Sequence, residues 1–468
     1  MKRPLLTRSA WLVMMAAVLL TACGSPATEP PTLAATQSLP TRAPTLAPSP
    51  VSPTRAPATP LPLSPSPAPS PATPAASPTA PASTPETGGP AINPIAHLTA
   101  GQPVTVTAIH MLDATTGWAV ATGGVGDPDD HLLRTTDGGA TWRDVTPPEN
   151  NDPSAPLGKG ATAFFLDASA AWVTYYDRTA GPAVSSPIVW RTTDAGQTWA
   201  ASRTLNVSDG EFYSPSDIVF VDVRTGWLLV HAGAGMMHDY VFVFATSDGG
   251  QTWERIVDPF TDTLPQSCGK TAMIFADAQT GWVTGDCQGV QPGAPYLQKT
   301  TDGGRTWGAV ELAPPADQSD LFTRDDVGCG TYAPTFFSSQ SAVMVVKCLF
   351  FTADPLRVES FLYATTDGGR TWRSSTLPAE AVTFLAPEVG WALAETVSDD
   401  PAAPRDLYQT QNGGQTWTKI RSVNWDGQFN FISEQEVWVV AKAGDAIALV
   451  HTTDGGKTWN EIKPQIAP

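Results

Sequence analysis

Three features of the 468-residue sequence predict an all-β fold, a seven-bladed β-propeller of four-stranded antiparallel blades. An octapeptide recurs seven times, and a short Gly-Trp signal runs in step ahead of it. Between them, apolar and polar residues alternate and break at turn residues, as strands and their connections do.

The octapeptide begins at Thr135 (TTDGGATW), Thr192 (TTDAGQTW), Thr246 (TSDGGQTW), Thr300 (TTDGGRTW), Thr365 (TTDGGRTW), Thr410 (TQNGGQTW) and Thr452 (TTDGGKTW). Trp118, Trp172, Trp227, Trp282, Trp391 and Trp438 each precede the acid or amide of their octapeptide by a similar offset. Ala342-Val343 fills the fifth slot, at a slightly longer offset from Asp367. Seven units of about 54 residues follow. In the first, Val104 to Leu112 alternates, Asp113 to Thr116 turns, Gly117 to Ala121 and Leu132 to Thr136 are the next strands, and the octapeptide leads into Trp142 to Val145. Four strands per unit match propeller blades, and radial closure leaves no long exposed edge. No blade needs to borrow a strand, and the segment 93–103 is a candidate clip for the ring.

Residues 1–22 read as an export signal. Lys2, Arg3 and Arg8 precede the apolar run Ala10 to Leu20, which is too short to span a bilayer. Leu20-Thr21-Ala22-Cys23 resembles the lipobox of bacterial lipoproteins, which implies cleavage before Cys23 and a diacylglycerol on its thiol. Residues 23–92 form a linker in which Pro recurs every few positions, Ala, Ser and Thr make up most of the rest, and no residue is aromatic. Such a composition buries too little apolar surface to offset the entropy of ordering. As polyproline II, at ~3.1 Å per residue, it reaches on the order of 200 Å. The propeller then occupies 93–468. The expected location is the outer side of the cell membrane or envelope, tethered by lipid.

The signal carries +3 and the linker is balanced, so the chain's −18 leaves −21 on residues 93–468. That field disfavours nucleic acid and favours cationic or basic partners.

The octapeptide resembles the Asp box, or bacterial neuraminidase repeat, found in sialidases, sortilin-type receptors, xyloglucan hydrolases and photosystem II assembly propellers. An Asp opening a tight turn accepts backbone N–H bonds, the second Gly supplies a positive φ, and the Trp is expected to bury its ring between sheets. Asp137, Asp194, Asp248, Asp302, Asp367, Asn412 and Asp454, with Trp142, Trp199, Trp253, Trp307, Trp372, Trp417 and Trp459, are therefore expected to be structural fasteners. A group repeated once per blade is symmetric, whereas catalysis needs one asymmetric site.

Recognition is expected on the face carrying the longer second-to-third and fourth-to-first connections. That face offers Tyr175, Tyr176, Tyr213, His238, Asp239, Tyr240, Asp286, Tyr296, Asp325, Tyr332 and Trp425, acids and aromatics of which the aromatic side chains are favoured at protein interfaces and for stacking on sugars. The six His lack metal-site spacing, and Asp127-Pro128-Asp129-Asp130 lacks the EF-hand pattern, so no metal and no cofactor are expected. Cys268 and Cys329 precede the strand-two slots at Trp282 and Val343 by the same offset, and Cys287 and Cys348 follow those slots by the same offset. Opposed residues of an antiparallel hairpin share a midpoint, and here the midpoints fall in the first-to-second turns. The spacing therefore predicts Cys268–Cys287 and Cys329–Cys348 in an oxidising compartment.

In its repeat unit the domain is similar to the photosystem II assembly and stability factors. That resemblance implies binding and chaperoning of a membrane partner without catalysis; a monomer that recognises a protein or glycan is expected. The alternative is a glycoside hydrolase of sialidase or xyloglucanase type. Sialidases have six blades and an Arg-Ile-Pro segment absent from this domain, and xyloglucan hydrolases use two propellers. An acid/base carboxylate pair among the long loops would revive that alternative.

Overall fold

The structure, a computed structural model, describes residues 94–468 except 125, 151–156, 179–186, 236–237, 261–262, 288–293, 354–356, 380 and 395–402. Cys23, the signal and the linker lie outside the described residues, as do parts of several long connections.

The described strands form six sheets, four of four strands, one of five and one of nine, antiparallel except for one short parallel pairing in the five-stranded sheet. Every octapeptide joins the third and fourth strands of a four-stranded unit. In the first unit these strands are Thr105–Met111, Gly117–Thr122, His131–Thr135 and Thr141–Asp144, close to the bounds expected from alternation. The nine-stranded sheet holds the fourth and fifth units together. An additional strand, Val327–Thr331, pairs with Ala342–Phe350 and meets the fourth unit where Gly330 opposes Asp286. The whole is a β-propeller.

Turns at one end of each unit are tied to each other. The amides of Gly138, Ala195, Gly249, Gly303, Gly368, Gly413 and Gly455 donate to carbonyls of the first-to-second turns, those of Thr115, Ser169, Arg224, Gln279, Gln340, Glu388 and Gln435. Because strands run up and down, the longer connections emerge at the other end.

Neighbouring units are joined by the tryptophans of the second strands. Trp118, Trp172, Trp227, Trp282, Trp391 and Trp438 are at most 2% exposed. Nε1 of Trp172 donates to the Gly249 carbonyl at 2.9 Å, and Nε1 of Trp227 to that of Gly303 at 2.8 Å, each in the next unit's octapeptide. Trp118 donates to Asp167 in the next unit's first turn. The Trp172 and Trp227 rings stack on a phenylalanine ending the next unit's first strand, Phe220 at 3.7 Å and Phe275 at 3.6 Å, whereas Trp391 meets Phe431 edge-on at 4.9 Å. Trp438 donates to the Gly138 carbonyl at 3.0 Å, which joins the last unit to the first.

The termini complete this closure. Gln465–Ile466 adds in parallel beside Thr141–Trp142, and the Ala467 amide donates to the Trp142 carbonyl. On its other side the tail bonds the amino-terminal segment, with Gly101 and Val104 amides donating to Ile466 and Pro464. The clip expected from 93–103 is thus shared with the carboxyl-terminal tail, whose very short strand has no periodicity to betray it.

The octapeptide tryptophans differ from expectation. Trp142 is buried, but Trp199, Trp253, Trp307, Trp372, Trp417 and Trp459 are half-buried. They follow a turn at the rim, whereas the second strands are flanked on both faces by neighbouring units.

Candidate functional site

All seven octapeptides build the same turn. One oxygen of Asp137 accepts from the Thr141 amide at 2.9 Å and from the Thr135 hydroxyl at 2.9 Å, and the other from the Thr141 hydroxyl at 2.6 Å. The Thr135 hydroxyl oxygen in turn accepts the Gly139 amide at 3.0 Å. The set repeats at Asp194, Asp248, Asp302, Asp367 and Asp454. Asn412 keeps the geometry: its Oδ1 accepts the Thr416 amide and its Nδ2 donates to the Thr416 hydroxyl.

Hydrogen bonds from the hydroxyl and amide of Thr198 and of Thr458 hold Asp194 and Asp454 at about 2. Asp248, which burial alone would raise, is brought to about 2 by Thr252. These carboxylates are anionic and engaged within their own turns. Both glycine positions, and not the second alone, take positive φ. Ala195 holds the first of them at φ 61° in the second copy, a conformation costly for a residue with a Cβ.

The long-connection residues do not converge on one place. Tyr175, Tyr213 and Tyr296 are core residues, 4%, 5% and 7% exposed, and cannot line an exposed face. The Tyr213 and Thr174 hydroxyls are bonded at 2.7 Å, and the Tyr296 hydroxyl donates to Pro265. Burial raises the Tyr213 phenol above its ordinary value, so it is neutral. Tyr176 lies half-buried over Gly160, and Asp286 is half-buried opposite Gly330. Around the third and fourth units a group does assemble. Asp239 accepts from His231 Nδ1 at 2.8 Å and from the Lys270 amide at 2.7 Å, and His238 and Tyr240 stack at 6.0 Å. Desolvation lowers the Lys270 ammonium to about 8, although Asp239 opposes the shift. Tyr332 and Asp325 are exposed. Trp425 packs against Trp459 at 5.4 Å, beside a cavity of about 450 Å³.

Two of the longer connections are partly strand: His231–Gly235 and His238–Tyr240 extend the hairpin of Gly226–Gly235 and His238–Thr246, and Arg357–Ser360 opens the strand Arg357–Thr365 that pairs with Ala342–Phe350.

A buried polar network was not foreseen. His131, 1% exposed, lies between Asp127 at 3.0 Å and Asp144 at 3.1 Å. Asp129 accepts the Lys159 amide, and Asp130 accepts the Ala161 amide and pairs with Arg178. The acids 127–130 thus fasten a loop of the first unit to the second. Burial opposes protonation of His131, but the bond and charge of Asp144, with those of Asp127, overcome it and raise the imidazole. The signal was present in the run Asp127-Pro128-Asp129-Asp130-His131, where a histidine follows acids into an apolar strand. Both disulfides are formed as the spacing predicts, Cys268–Cys287 and Cys329–Cys348, with Cα atoms 4.5 and 4.1 Å apart.

No protein-family model matches the chain. Over 200 residues it is 25% identical to the photosystem II assembly lipoprotein Ycf48 of Synechococcus sp. (strain CC9902), covering 43% of this chain and 42% of that protein. Over 140 residues it is 29% identical to a xyloglucanase of Paenibacillus sp, covering 28% of this chain and 12% of the enzyme. The matches thus span less than half the length of either relative. Among solved structures it is similar to Ycf48 from Cyanidioschyzon merolae, with a TM-score of 0.45 and 14% identity over 76% of this chain and 97% of that one. It is also similar to polysaccharide lyase Uly1, with a TM-score of 0.48 and 12% identity over 78% and 91%. The chain is a β-propeller by its own strand pairing, with sequence similarity to an assembly lipoprotein and to a xyloglucanase.

Proposed function

We propose that the chain is an exported, lipid-anchored, seven-bladed Asp-box propeller that binds a protein partner at a membrane without catalysing a reaction. The count of seven takes the nine-stranded sheet as two blades. The similarity to the Ycf48 assembly lipoprotein over 200 residues carries this reading. Two features support it. The repeated acids accept hydrogen bonds within their own turns, which fits a fastening role. The longer connections add exposed or half-buried Tyr332, His238 and Tyr240, residue types suited to a protein surface. Cys23 would carry the lipid, and the linker would hold the propeller away from the bilayer.

The test is co-purification from native membranes, with the Cys23→Ser chain as the control for tethering. A discrete membrane polypeptide recovered with the wild-type chain, and loss of membrane partitioning by the variant, support the reading. Lipid labelling of Cys23→Ser would remove the anchor. The 29% identity to a xyloglucanase segment motivates a second arm. Turnover of xyloglucan abolished by changing one loop carboxylate would replace binding with hydrolysis.

A further inference from the structure

Six of the seven junctions between units are filled by a second-strand tryptophan; the junction of the fifth and sixth units is not. There Val343 occupies the tryptophan position. Opposite it in register stands Ala364, where Arg134, Lys299 and His451 oppose and cover Trp118, Trp282 and Trp438. Phe384, which ends the sixth unit's first strand as Phe220 and Phe275 end theirs, meets Trp417 edge-on as they meet Trp253 and Trp307, but where Trp172 and Trp227 stack on them it has Phe337, edge-on. The result is a cavity of about 690 Å³ beside the octapeptide turns. That volume is within the ~300–1,000 Å³ of small-ligand pockets.

The cavity's polar wall repeats what the indole meets elsewhere. Gly413 lines it, in the octapeptide position of Gly249, Gly303 and Gly138, whose carbonyls accept an indole N–H. The Gly413 amide is bonded to the Glu388 carbonyl, so this turn is held like the others. Asn412 lines it too. The one octapeptide amide therefore falls at the one junction without a tryptophan, and Glu388 and Arg373 are the charged residues that line the cavity there.

We propose that this junction is a binding site for a tryptophan side chain presented by a partner polypeptide. The indole enters against Val343 and Ala364 and donates its N–H to the Gly413 carbonyl, supplying in trans what the chain supplies to itself at Gly249, Gly303 and Gly138. The site lies at the opposite end of the blades from the long connections, and it does not depend on that face being a binding surface.

The probe is N-acetyl-5-fluorotryptophanamide, followed by fluorine NMR and calorimetry on the full mature chain. Saturable binding with a dissociation constant on the order of millimolar is expected for so small a ligand. The phenylalanine and leucine amides, which lack the donor, should bind about tenfold more weakly. Val343→Trp places an indole in the cavity and should weaken the probe at least about tenfold. Ala364→Leu fills it from the facing strand with the same result, and serves if Val343→Trp does not fold. No saturable binding, equal affinity for the leucine amide, or unchanged binding to a folded cavity-filled variant would overturn the site. So would self-association of the chain abolished by Val343→Trp, which would make the occupant a second copy.

Discussion

Removal of the Trp438 side chain tests the account of how the ring is closed. Trp438 is 1% exposed, stacks on His451 at 4.0 Å and donates its N–H to the Gly138 carbonyl of the first unit at 3.0 Å. Truncating a buried aromatic to alanine costs about 3–5 kcal/mol, of which one neutral hydrogen bond accounts for about 1 kcal/mol. Trp438→Phe should therefore lose about 1–2 kcal/mol and Trp438→Ala several times that. Trp459→Ala, in the half-buried octapeptide position of the same unit, should cost about half as much as Trp438→Ala. The assay is urea unfolding of the chain followed by far-ultraviolet circular dichroism, which does not depend on the residue removed. If Trp459→Ala is as damaging as Trp438→Ala, the octapeptide tryptophans carry the junctions and the reasoning fails.

Four further outcomes follow from the same geometry. Asp302→Ala should cost about 1–2 kcal/mol, because amide and hydroxyl donors lose an acceptor in a largely exposed turn. Asp302→Asn should fall within about 0.5 kcal/mol, since Asn412 already holds such a turn; equal losses would mean that charge rather than geometry fixes the turn. Ala195→Gly should raise stability by about 0.5–1 kcal/mol by relieving the φ of 61°, and a lower melting temperature would contradict it. Replacing both cysteines of either pair, 19 apart in sequence, with alanine should cost about 3 kcal/mol in the chain-entropy estimate. Non-reducing peptide mapping that links Cys287 to Cys329 would refute the register itself. His131 is raised in the folded state, so its contribution is complete below the unfolded value near 6.5 and is lost as pH rises through the folded value. Wild type should thus gain stability over His131→Gln on going from alkaline to mildly acidic solution; identical pH profiles would exclude the buried Asp127–His131–Asp144 group as the cause.

Much of this architecture is legible in the sequence because a propeller repeats itself. One octapeptide per unit fixes the third-to-fourth turn, and the offset to the second-strand tryptophan fixes the register, which is why Cys268–Cys287 and Cys329–Cys348 could be paired from spacing alone. What escaped lies where the chain departs from its own period. The strand Val327–Thr331 and the short tail strand Gln465–Ile466 are too short or too displaced to alternate visibly. Tyr175 and Tyr213 sit near strand ends and read as surface aromatics. Alternation assumes one wet face, and a unit covered on both faces by its neighbours has none. The half-buried octapeptide tryptophans depart from expectation for the converse reason, since a large ring after a rim turn meets solvent on one side.

The central claim is that this propeller holds a protein partner through its long-connection face. Photo-cross-linking side chains placed at Tyr332 and Tyr240 in the full chain, compared with one at Thr301 within an octapeptide, test it in native membranes. The account predicts one membrane polypeptide joined from Tyr332 and Tyr240. Cross-links to glycan alone, or to no polypeptide from either position while the chain depolymerises xyloglucan, would contradict it.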